Sequence, residues 1–112
     1  MKVGREFNFD ASHFLPNYKG KCERVHGHTY RLKVVVEGEP NEKGMVMDFN
    51  ELKDAVNDAV MGRLDHSNLN EIFENPTAEE IAEWIFKELE KRIPVSSVKL
   101  YEGLGKWVLI EK

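Results

Sequence analysis

Residues 26–38 read His-Gly-His-Thr-Tyr-Arg-Leu-Lys-Val-Val-Val-Glu-Gly, and His26, His28, Tyr30, Leu32, Val34 and Val36 occupy every second position of that run. A period of two is the mark of a strand with one face turned to a core. The same pattern stands upstream from Val3 to His13, where Arg5, Phe7, Phe9, Ala11 and His13 share a face and Glu6, Asn8, Asp10 and Ser12 share the other. Between the two strands, Phe14 to Arg24 contains Pro16, Asn17 and Gly20 with no period, which predicts a loop. Two long strands joined by one loop predict an antiparallel pair in which the end of the first lies beside the start of the second.

Downstream, the turn formers of Gly38-Glu-Pro-Asn-Glu-Lys-Gly44 precede a short extended piece, Met45 to Met47. Phe49, Leu52, Val56, Ala59, Val60 and Leu64 then recur at helical spacing, predicting a helix from about Asn50 to Arg63 with Asp48 or Asn50 as its N-cap. Asp65 to Asn75 is polar and reads as a loop. Thr77 and Glu80 form the Thr-x-x-Glu capping box of a second helix with the stripe Ile81, Ile85, Leu89 and Ile93, ended by Pro94. The tail predicts a hairpin: Val98, Leu100 and Glu102 in phase, a Gly103-Leu-Gly105 turn, then Val108 and Ile110. The order ββααββ favours an α+β fold, a four-stranded antiparallel sheet with both helices on one face.

The chain has 112 residues, 41% hydrophobic and 32% charged, which suits a single domain over residues 1–112 and excludes a disordered or collagen-like chain. Its longest apolar runs are about three residues, against about 20 for a spanning helix, so no membrane partner is expected. A secretory h-region is not found after Met1-Lys2, and the cytoplasm is the expected location. A net charge of -4 argues against a nucleic-acid partner. The lone cysteine, Cys22, cannot form an intrachain disulfide.

Chemistry is carried by histidines. His26 and His28 point to one face with Cβ atoms roughly 6 to 7 Å apart, and His13, at the end of the preceding strand, is placed to meet them. Three imidazoles with a fourth position open is the pattern of catalytic zinc, whereas structural zinc closes four ligands, mostly cysteine. The plainer reading is three ordinary strand histidines; His-Gly-His alone is a weak motif, and the convergence of His13 strengthens it. Cys22, four residues before His26, is open to three roles: fourth ligand, inert packing group or catalytic base. Asp65-His66 reads equally as an acid/base pair or as a solvated loop pair.

Taken together, FDASHFLP, CERVHGH, GMVMDFNELK, LDHSNLN, NPTAEEIAEWI and the Glu102 strand resemble the family of 6-pyruvoyl-tetrahydropterin synthase and 6-carboxy-tetrahydropterin synthase (QueD), over nearly the whole chain and in a specific order. The resemblance implies the tunnelling fold and zinc (Zn2+) at His13, His26 and His28. It further implies Cys22 as the base that moves side-chain protons, Asp65 and His66 as its partner pair, Glu102 as the pterin anchor and Thr77 near the pterin. The three residues between Cys22 and His26 look like the carboxy-forming branch. That branch converts 7,8-dihydroneopterin triphosphate to 6-carboxy-5,6,7,8-tetrahydropterin, acetaldehyde and triphosphate, early in queuosine or archaeosine biosynthesis. The alternatives are the pyruvoyl-forming enzyme and a catalytically silent zinc- or pterin-binding module. Lys19, Lys21 and Arg24 are weaker candidates for the triphosphate, and Glu23 is a residue that some members use to alter side-chain chemistry. A homohexamer of two trimers is also implied, with sites at subunit interfaces; independently, a small sheet with two open edges favours closure by further copies.

Overall fold

The computed structural model describes residues 1–16, 20 and 24–112. Strands β1 (Lys2–His13) and β2 (His26–Glu37) pair antiparallel along their full length, with Phe9 opposite Tyr30, Ala11 opposite His28 and His13 opposite His26. After β2 the chain does not extend again at Met45 to Met47. Asn41 gathers it instead: its amide donates to the Met45 carbonyl at 2.8 Å, and its side-chain oxygen accepts from Lys43 and Met45. Helix α1 (Phe49–Val56) begins where Asp48 accepts from the Asn50 amide at 2.7 Å. A π-helical turn, Asn57–Met61, carries it into the short α2 (Gly62–Leu64), so the predicted single helix contains an expanded turn. The apolar spacing hides this, because Val56, Val60 and Leu64 all remain buried across the turn.

The predicted four-stranded antiparallel sheet needs correcting. Among the described residues it has five strands in the order β3-β1-β2-β4-β5, and the added strand β3 (Ser67–Asn68) runs parallel to β1, pairing with Ala11 and Ser12. Two residues show no period, which is why this stretch reads as loop. The docking is local: the His66 amide donates to the Asp10 carbonyl at 2.7 Å, and Asp65 Oδ1 accepts from the Asp10 amide at 3.0 Å. Helix α3 (Ala78–Glu90) starts at Thr77, whose hydroxyl accepts from the Glu80 amide at 3.2 Å. Pro94 follows it and leads into β4 (Val95–Glu102), which pairs with β2 and, through the turn at Gly103 and Gly105, with β5 (Trp107–Glu111).

Alternate residues of β1, β2 and β4, among them Phe9, Tyr30, Leu32, Val34 and Leu100, form one buried cluster with Leu52, Val56, Ile81, Ile85 and Leu89 of the helices. Both long helices therefore cover the same face, as the α+β reading requires. The opposite face keeps charged and aromatic groups, with Arg31 over the Tyr101 ring and Lys99 over Trp107. Among the described residues no helix is long and apolar enough to cross a membrane.

Candidate active site

The long β1–β2 ladder ends in the chemistry. Because His13 lies directly opposite His26, and His28 shares the face of His26, the three rings crowd together with centroids 4.6 to 5.0 Å apart. Their ligand atoms all lie within 4.8 Å of one another, close enough to hold one metal ion.

Backbone carbonyls orient two of the rings. His13, 1% exposed, has Nδ1 2.8 Å from the Pro76 carbonyl, and His26 has Nδ1 2.7 Å from the Arg24 carbonyl. A carbonyl only accepts, so each Nδ1 is assigned the proton and each Nε2 its lone pair. Those two Nε2 atoms face each other at 3.0 Å. Lone pairs held at that distance repel unless a cation stands between them, and a carbonyl-oriented imidazole is how metal sites fix their tautomers. The third ring, His28, has a buried Nε2 with no hydrogen-bond partner among the described residues, 3.4 Å from the Glu102 carboxylate. Burial, the largest influence, lowers its pKa, the Glu102 charge pulling the other way and His13, His26 and Lys106 lowering it further. The neutral ring favoured by this balance is the form that binds metal. Two lone pairs aimed at each other and one orphaned buried nitrogen fit a metal centre better than ordinary strand packing.

Below the triad, Tyr30 stacks on Phe9 with centroids 4.9 Å apart, and its hydroxyl is 3.4 Å from His13 Nδ1. Burial, aided by the Glu102 charge, raises its pKa, so it stays a neutral phenol. Just past His13 the chain is clamped by Asn70, which accepts from the Phe14 amide at 2.8 Å and donates to the Phe14 carbonyl at 3.0 Å. The positioning groups Pro76, Arg24 and Asn70 escaped the sequence reading. The first two act through backbone oxygens, which leave no residue-type signal.

Glu102 adjoins the triad and also lines a cavity of about 420 Å³ together with Thr77, Leu15, Glu79 and Lys106. The two residues expected at a pterin thus meet in one concavity beside the histidines. Asp65 and His66 do not line it. They lie next to Asp10 of β1, with His66 Nε2 3.6 Å from Asp65 Oδ2, and the His66 side chain is 80% exposed. Cys22, Lys19, Lys21 and Glu23 lie outside the described residues.

Comparison with known proteins sharpens this arrangement. A family model described as 6-pyruvoyl tetrahydropterin synthase matches residues 2–112. A 6-carboxy-5,6,7,8-tetrahydropterin synthase of Synechocystis is 46% identical over 80% of this chain and 74% of its own. A dihydroneopterin monophosphate aldolase of Pyrococcus furiosus is 47% identical over 86% of this chain and 84% of its own. The solved structure of Caenorhabditis elegans 6-pyruvoyl tetrahydropterin synthase superposes with a TM-score of 0.89 at 26% identity, covering all of this chain and 95% of that one.

Proposed function

Because the chain belongs to the 6-pyruvoyl tetrahydropterin synthase family, we propose that it is the carboxy-forming enzyme. It takes 7,8-dihydroneopterin triphosphate and water to 6-carboxy-5,6,7,8-tetrahydropterin, acetaldehyde and triphosphate. The observation that carries the reading is the meeting of a three-histidine metal cluster with a carboxylate-lined cavity. The Synechocystis relative supports the branch.

In this reading His13, His26 and His28 hold zinc, the ion that three neutral imidazoles with an open position suit. When bound, zinc supplies Lewis acidity to the oxygens of the substrate side chain. The remaining work falls to this chain's side chains. Glu102 accepts from the 2-amino group and ring N3–H of the pterin, two parallel donors that a carboxylate can take as it would an arginine fork. Thr77, already committed to capping α3, borders the ring. Cys22 removes and returns side-chain protons as a thiolate base, and Asp65-His66 relays others. Since that pair lies outside the cavity lining of its own chain, we assign it to the cavity of a neighbouring subunit in a hexamer of two trimers. Lys19, Lys21 and Arg24 meet the triphosphate.

A second reading has a specific support, the similarity to the Pyrococcus aldolase. A retro-aldol cleavage of dihydroneopterin monophosphate would use the same metal cluster and base, but break the bond between the first two side-chain carbons, leaving 6-hydroxymethyl-7,8-dihydropterin and releasing the other two carbons with the phosphate as glycolaldehyde phosphate. Zinc-loaded protein offered each substrate separately, with products identified by mass spectrometry, tests both. The carboxylated tetrahydropterin with acetaldehyde supports the proposal. The hydroxymethyl product moves the chain to the aldolase reading, a retained three-carbon side chain moves it to the pyruvoyl branch, and binding without turnover leaves a silent module.

A further inference from the structure

Glu102 and Lys106 close the β4–β5 hairpin. The Glu102 amide donates to the Lys106 carbonyl at 3.0 Å, one step beyond the Tyr101 and Trp107 pair. Opposed residues of an antiparallel pair share a face with Cα atoms about 4.5 to 5.5 Å apart, and both residues line the same cavity. Gly103 and Gly105, at φ of 69° and 77°, make the intervening turn short enough to keep the two side by side. Two residues of opposite charge, paired through the backbone, thus border the same concavity.

A pterin ring presents along one edge the acceptor N1, the 2-amino donor, the N3–H donor and the acceptor O4. Once a carboxylate has taken the two central donors, an acceptor flanks it whichever way round the ring lies. The complement of that edge is an anion with a cation beside it. The phosphorylated side chain leaves the ring at the end remote from this edge, so a cation carried by the residue opposite Glu102 meets the ring before it meets a phosphate.

Resting on the pterin reading of the cavity, we propose that Lys106 is a substrate-binding residue whose ammonium donates to the ring acceptor, O4 or N1, beside the donor pair held by Glu102. The Glu102 and Lys106 pair would then read the ring edge as a unit. Lys106 would discriminate pterins from rings that offer a donor at the flanking position.

The test is titration of metal-replete parent, Lys106→Met, Lys106→Arg and Glu102→Gln proteins with two ligands: 7,8-dihydropterin carrying no side chain, and 7,8-dihydroneopterin triphosphate. Lys106→Met should weaken both ligands by the same factor, about tenfold, as expected for losing a charged hydrogen bond. Lys106→Arg should restore most of the affinity, with zinc content unchanged throughout. A loss confined to the triphosphate would place Lys106 on the phosphates and overturn the assignment. So would unchanged affinity for both ligands, if Glu102→Gln still weakens binding. A parent protein that binds neither ligand would remove the pterin reading itself and this assignment with it.

Discussion

At the scale of single residues, the three histidines carry most of the account, and their grouping is legible in the sequence because strand alternation sends His26 and His28 to one face and ends β1 at His13. What escapes is the machinery around them. The carbonyls of Pro76 and Arg24 set the ring tautomers, and a backbone oxygen has no letter in the sequence. His28 gives a pH prediction. Its folded pKa lies below the ordinary 6.5, first because of burial, so the unfolded chain takes up a proton before the folded one as pH falls. The contribution of His28 to stability is therefore full above about pH 6.5 and is lost as pH falls below it, until the folded ring also protonates. Metal-free protein should melt at lower temperature at about pH 5.5 than at about pH 7.5, and His28→Asn should shrink that difference; an unaltered difference would show that His28 does not carry it. Cys22→Ala should keep the metal and the fold but lose turnover by orders of magnitude, since in the proposed reading the three histidines hold the ion and only the base is removed. Near-normal rates in a single-turnover assay would return Cys22 to packing.

At the scale of elements, the long strands and both helices were legible because each keeps one period over eight residues or more. Strand β3 was not, since two residues define no period and its pairing is imposed by contacts with Asp10. The π turn was hidden for a different reason: it changes the backbone bonding, with Gly62 donating to Asn57, while the apolar residues stay buried. The start of α3 links fold to site. Thr77 caps the helix and lines the cavity, and the adjacent Pro76 carbonyl holds His13. Thr77→Ala should lower stability by about 1 kcal/mol, the ordinary cost of an N-cap, with Thr77→Ser retaining most of it. Chemical denaturation measures this, and a Thr77→Ala protein as stable as the parent would show that the cap contributes nothing.

At the scale of the whole molecule, the open edges of the sheet decide the argument. β5 presents one edge, with Trp107 52% and Leu109 42% exposed, and at the other, among the described residues, no strand but the two-residue β3 pairs with the outer side of β1. Exposed edges with apolar groups invite pairing with further copies. The placement of Asp65 and His66 outside their own chain's cavity agrees with a site completed by a neighbour. Light scattering of active protein should therefore return about six times the 13.0 kDa chain. A monomer under turnover conditions would contradict both the hexamer and the shared site. The α+β class was legible from element order alone, whereas the fifth, parallel strand and the position of Asp65-His66 beside Asp10 depend on long-range contacts that local periodicity does not encode.

Every functional step rests on His13, His26 and His28 holding one ion, and that is directly measurable. Crystals of protein expressed with ample zinc should show, in an anomalous difference map at the zinc absorption edge, one strong peak per chain about 2.0 to 2.1 Å from a ring nitrogen of each of the three histidines. A map with no peak there, or with its only peak elsewhere, would contradict the metal centre and the chemistry proposed on it.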